Sequence, residues 1–182
     1  MQKICLVLFT VINLSGFAQK GNNKLIAKYE DTLKLIAHTI MNAETEAEKR
    51  LANIAFITKL TEVLKYEKSF KFPFDSLPTI ARISSPDNTF RIFNWILKKD
   101  NGSYEYNAIV HFQNKNRKRY EIIPLIDNSA NIRNANQEDL DATNWYGALY
   151  YQIAYIKKAG RKYYTLLGWD GNDGYSTKKI ID

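Results

Sequence analysis

The chain has 182 residues and a formal net charge of +7, and its single cysteine, Cys5, lies in an N-terminal apolar run. A basic surface favours polyanionic partners: acidic glycans, phospholipid headgroups or nucleic acid. One cysteine excludes an intramolecular disulfide framework, and a body downstream of Cys5 has neither a thiol nucleophile nor a cysteine metal ligand.

Residues 1–18 read as a secretory signal peptide. Lys3 supplies the positive start, Ile4 to Ile12 form a nearly unbroken apolar run, and the small residues Gly16 and Ala18 precede a cut before Gln19. The run is too short to cross a bilayer as a helix, which takes about 20 residues. Cleavage removes Lys3 and Cys5 and leaves 164 residues at +6, a length expected of one domain, 19–182. Export makes the protein periplasmic or secreted and argues against nucleic acid as its natural partner. No second long apolar segment follows, so no membrane span is expected after cleavage.

The expected fold is α+β, with helical residues 22–69 and β-rich residues 70–182. From Lys24, the apolar positions Leu25, Tyr29, Leu33, Ile36 and Ile40 recur at the helical period. Thr45 and Glu48 form a capping box for a second helix. Its broad apolar face is expected from Leu51, Ile54, Ala55, Ile57, Leu60, Val63 and Leu64, with fraying near Ser69 before Pro73. This helical hairpin should pack on an antiparallel meander of about six strands. Phe70, Phe72 and Phe74 alternate as an edge or extended lead-in, because Pro73 cannot donate to a ladder. Ile80 to Ser84 is a short strand closed by the turn Ser85-Pro86-Asp87-Asn88. Phe90 to Leu97 is apolar on both faces and so central. Asp100-Asn101-Gly102 turns into Tyr104 to Phe112, and Asn114 to Lys118 into Arg119 to Ile126. Residues 127–144, rich in Asn, interrupt the rhythm as a long irregular loop. Trp145 to Ile156 and Tyr163 to Trp169 then form a hairpin around 157–162. Asp170-Gly171-Asn172-Asp173-Gly174 turns into Tyr175 to Ile181. The chain ends inside that strand without a polar tail, which leads us to expect a truncated C-terminus.

Three segments resemble a family of exported Bacteroidota proteins with no assigned activity. They are Ser85-Pro86-Asp87-Asn88-Thr89-Phe90-Arg91-Ile92, Trp145-Tyr146-Gly147-Ala148-Leu149-Tyr150-Tyr151, and Tyr163-Tyr164-Thr165-Leu166-Leu167-Gly168-Trp169-Asp170-Gly171-Asn172. The resemblance spans roughly residues 80–182 and implies an exported compartment and a β-rich body. Family members continue past the strand where this chain stops.

Catalytic signatures are absent. His38 and His111 have no second ligand at metal spacing, no Gly-x-Ser-x-Gly elbow marks a serine, and no acidic pair stands out. No catalytic residue, metal or cofactor is therefore named. Asp170-Gly171-Asn172-Asp173-Gly174 fails as an EF-hand, because Gly174 and Ile181 fall at ligand positions; it reads as a tight turn. Aromatic residues crowd the C-terminal hairpin. Tyr151 and Tyr155 are expected on one strand face, with Tyr146 and Tyr150 on the other. Lys115, Arg117, Lys118 and Arg119 crowd one hairpin tip, and Lys157, Lys158, Arg161 and Lys162 another. If both tips point the same way, they make one positive patch. The expected function is a non-enzymatic periplasmic or secreted binding domain for an acidic glycan or envelope polymer. Its ligand-binding residues would be Tyr151, Tyr155, Trp145, Trp169, Lys157, Lys158 and Arg161. The alternatives are an envelope-acting hydrolase using Asp170 or Asp173, and a protein–protein interaction module.

Overall fold

The computed structural model describes residues 23–114, 119–135, 137–172 and, for the backbone alone, 176–181. The segment read as a signal peptide lies outside them, as do Lys115, Arg117, Lys118 and Asp173.

The fold is α+β. Helices α1 (Asn23–Asn42) and α2 (Glu46–Leu64) form the hairpin, and a 3-10 helix (Glu67–Lys71) leads into the strands. The strands are β1 (Ala81–Ser84), β2 (Phe90–Lys98), β3 (Tyr104–Asn114), β4 (Arg119–Leu125), β5 (Leu149–Lys158), β6 (Arg161–Asp170) and β7 (Ser176–Ile181). All are paired antiparallel. They divide into a sheet of order β1-β2-β3-β4 and a sheet of order β5-β6-β7. Phe70 falls in the 3-10 helix rather than in a strand.

Alternation along β2 and β3 accounts for the layering. Phe93, Trp95 and Ile109 point into one core, shared with Ile26, Leu33, Ile40, Phe56 and Leu60 of the helices. Ile92, Tyr106 and Ala108 point the opposite way, into a second core with Tyr150, Ile153 and Leu166. The first sheet is thus covered on both faces, by helices on one side and by β5 and β6 on the other. That is why β2 reads as apolar on both sides, and it supplies the burial that two helices alone could not give the aromatic C-terminal hairpin. Asn94 ties the sheets together: its Oδ1 accepts the Tyr150 N–H at 2.7 Å.

The α2 cap forms as its sequence requires. The Glu48 N–H donates to Thr45 Oγ1 at 3.2 Å, and the Thr45 N–H to a Glu48 carboxylate oxygen at 3.2 Å. The apolar face differs from the expected one, because Leu51 and Ile54 are exposed while Asn53 is buried. Asn53 is held inward by two bonds: it accepts from Trp95 Nε1 at 2.7 Å and donates to Asn107 Oδ1 at 2.8 Å. A buried amide must be paired, and satisfying this one fixes the helix rotation at the expense of Leu51 and Ile54.

The connection between β4 and β5 is irregular but closely bonded. Asp127 accepts from the Tyr106 N–H at 2.9 Å and from Ser129 Oγ at 2.6 Å. Ser129 Oγ in turn accepts the Gly147 N–H at 2.8 Å. A Cβ on Gly147 would sit 2.6 Å from Asp127 Cγ, so only glycine permits this approach.

Candidate functional site

Hairpin β5–β6 carries most of the residues named from sequence, and a bulge decides where they point. The register shifts between Tyr150 and Gln152. Beyond it Ile153 pairs with Leu166, and Tyr155 with Tyr164 at 5.3 Å between ring centroids. Tyr155 is therefore half-buried on the inward side, whereas Tyr151 at the bulge is 55% exposed. The expectation that the two share a face is corrected. Period-two alternation holds only in an unbroken ladder, and one inserted residue inverts its phase.

Trp145 belongs to the second core. It is 5% exposed, its Nε1 donates to the Tyr150 hydroxyl at 2.7 Å, and it lines a cleft between the sheets. Trp169 is 41% exposed. It packs edge-on against Tyr104 at 5.3 Å and lies across the Gly171 backbone, where a Cβ would come within 2.2 Å of its ring.

The turn after Trp169 is built as a clamp on β3. The Tyr106 hydroxyl donates to Asp170 at 2.7 Å and accepts the Gly171 N–H at 2.7 Å. Asn172 accepts the Tyr104 N–H at 2.7 Å and donates to the Tyr104 carbonyl at 2.9 Å. Burial, reinforced by the Asp170 carboxylate, raises the Tyr106 phenol well above its usual range. Among the described residues no group of three or more His, Cys, Asp or Glu could hold a metal.

Lys157, Lys158 and Arg161 are exposed at the far end of the hairpin, and among the described residues none of them has an ion-pair partner. The turn is tighter than the six residues expected from sequence. Lys158 pairs with Arg161 and Lys157 with Lys162, leaving Ala159 and Gly160, both at positive φ. Alternation places Lys158 and Arg161 on the outer face with exposed Ile156, and Lys157 beside Lys162 on the inward side.

Lys162 is engaged, with its Nζ 2.5 Å from Asp87 Oδ2. That carboxylate also accepts from Thr89 Oγ1 at 2.6 Å, Tyr164 Oη at 2.8 Å and Ser85 Oγ at 2.9 Å. Burial alone would raise the Asp87 carboxyl, but these bonds outweigh it and hold the group well below the usual carboxylate range. From the sequence, Ser85-Pro86-Asp87-Asn88 reads only as a turn. The signal for more was the alternation Ser85, Asp87, Thr89, three short polar side chains able to bond one another. At the same end Phe90 pairs with Phe112 and meets Tyr164 at 4.9 Å. The end of β3 and the β5–β6 turn therefore point the same way. Of the other basic cluster, Arg119 is described, and it lies 3.3 Å from Glu121.

Neither histidine has a ligand's surroundings. His38 is on the exposed side of α1, and His111 is fully buried between β2 and β4. Comparison with protein-family models, curated proteins and solved structures found no match. No helix among the described residues is long and apolar enough to cross a membrane.

Proposed function

We propose that the protein is an exported, non-enzymatic binding domain whose ligand lies along the outer face of hairpin β5–β6. The observation that carries this reading is the exposure of Tyr151 and Trp169 on a strand pair that ends in Lys158 and Arg161, cations with no ion-pair partner among the described residues. From Tyr151 to Lys158 the strand runs about 23 Å at the usual rise, a length suited to several units of a polymer. Flat aromatic area with a polar tip suits sugar rings, and the cations favour an acidic chain. An acidic glycan or envelope polymer fits both.

The test uses polygalacturonate as acidic glycan, dextran as neutral glycan and dextran sulfate as polyanion. Polygalacturonate is expected to bind the protein more tightly than either control. Tyr151→Ala and the pair Lys158→Glu, Arg161→Glu should each weaken it about tenfold, roughly 1.4 kcal/mol. All three positions are exposed, so the variants should melt like the parent. Unchanged affinity in both variants, or equal affinity for dextran sulfate, would contradict the reading.

A further inference from the structure

The space between the two sheets carries a second site. On the side of the first sheet, Ile92 of β2, Val110 and Phe112 of β3, and Ile123 and Leu125 of β4 form an apolar floor, facing Tyr164 and Leu166 across a cleft of about 300 Å³. Trp145 and Tyr150 close one part, and Leu140, Asp141 and Ala142 of the β4–β5 connection form a wall. The volume is at the lower end of small-molecule pockets, whose linings are likewise mostly apolar.

The polar side chains inside the cleft are already engaged, and only the exposed Asp141 carboxylate at the rim keeps an oxygen facing solvent. Trp145 Nε1 donates to the Tyr150 hydroxyl at 2.7 Å, and Tyr164 Oη to Asp87 at 2.8 Å. The Asp141 carboxylate accepts from the Thr143 N–H and hydroxyl, each at 2.7 Å, and from the Asn144 N–H at 2.9 Å. A polar group carried inside the cleft would lose its hydration without finding partners, which costs more than apolar contact returns. A hydrocarbon loses nothing of that kind. The rim adds a charge rule. Ile123 is 36% exposed and Asp141 is exposed beside it. Hydrogen bonds from Thr143 and Asn144 hold the Asp141 carboxyl below its ordinary range, so it stays anionic at neutral pH. An anionic headgroup would meet like charge there.

We propose that this cleft binds the hydrocarbon chain of an amphiphile with an uncharged headgroup, the head remaining at the rim formed by Ile123, Leu140 and Asp141. The site is separate from the outer face of β5–β6 and stands whether or not that face binds a polymer.

The experiment is a binding series of 1-hexanol, 1-octanol and 1-decanol, with decanoate as the charged control. It is read by intrinsic fluorescence, because Trp145 is part of the lining. A buried methylene contributes about 0.8 kcal/mol, so each two-carbon step should tighten binding about fifteenfold. Decanoate should bind more weakly than 1-decanol. Ile123→Trp, which fills the rim from a partly exposed position, should weaken 1-decanol at least tenfold while leaving the melt cooperative. Should that variant fail to fold, Ala142→Leu fills the opposite wall and should do the same. Affinity independent of chain length, decanoate binding as tightly as 1-decanol, or undiminished binding in a folded rim-filled variant would each overturn the proposal.

Discussion

His111 and Arg91 face each other across the β2–β3 ladder, both buried and, among the described residues, with no carboxylate acting on either. The Arg91 guanidinium donates to the Phe72 carbonyl at 2.7 Å and to the Ser69 carbonyl, and lies over the Phe93 ring at 4.6 Å. Burial pushes it down to about 9, so it remains charged at neutral pH. His111 is lowered to about 3, first by burial and then by Arg91. Among the described residues neither of its nitrogens has a hydrogen-bond partner. Its other neighbours are the rings of Phe70, at 5.1 Å from the 3-10 helix, and Tyr120, at 5.5 Å on β4; Glu67 acts on the Tyr120 phenol, raising it after burial does.

The sign of the pH dependence follows from the lowered value. The folded protein keeps His111 neutral, while the unfolded chain takes up a proton below about 6.5. Stability from this residue is therefore full above pH 6.5 and falls by up to about 1.4 kcal/mol per unit towards pH 3. His111→Leu removes an unpaired buried donor as well as the titration. It should raise stability at pH 7 by about 1–3 kcal/mol and flatten the loss between pH 6.5 and 3, as measured by denaturant unfolding. An unchanged acid slope in this variant would place the sensitivity elsewhere.

At the scale of elements, the β5–β6 turn is strained at one position. Ala159 has a φ of +49° and is followed by Gly160 at +79°, the two-residue hairpin geometry that favours Asn or Gly first. Ala159→Gly should stabilise the protein by about 0.5–1 kcal/mol, the relief of the left-handed penalty less the entropy glycine adds to the unfolded chain. A lowered melting temperature would show that Ala159 makes a contact worth more than its strain. Elements whose signal is local were legible in the sequence. The Thr45–Glu48 box and the alternation of β2 and β3 fix their own geometry within a few residues. Features set by distant partners were not. The rotation of α2 depends on Trp95, which donates to Asn53, and on Asn107, which accepts from it. The tight β5–β6 turn hid behind Lys157, Lys158, Arg161 and Lys162, which look like loop residues and are paired strand residues. The bulge at Tyr151 left no mark in the alternation, and it decided which candidate aromatics reach solvent. Of the seven, Trp145 and Tyr155 face inward, Lys157 stands beside Lys162, and Tyr151, Trp169, Lys158 and Arg161 remain outside.

At the scale of the whole molecule, the first sheet is the common wall of two cores. One core depends on the helical hairpin, the other on β5 and β6, and the cleft lies where the second sheet stands off from β3 and β4. Apart from Trp169, which packs on Tyr104 at the margin of the second core, the outer face of β5–β6 takes no part in either core, so a ligand there should leave the interior of both undisturbed. The most direct test of this account is an amide chemical-shift map of the protein titrated with polygalacturonate oligomers. Shifts are expected along Tyr151, Ile156, Lys158, Arg161 and Trp169, with Phe93, Ile109 and the α1–α2 core unmoved. Shifts centred on the cleft or on the helical hairpin, with the outer face silent, would contradict it.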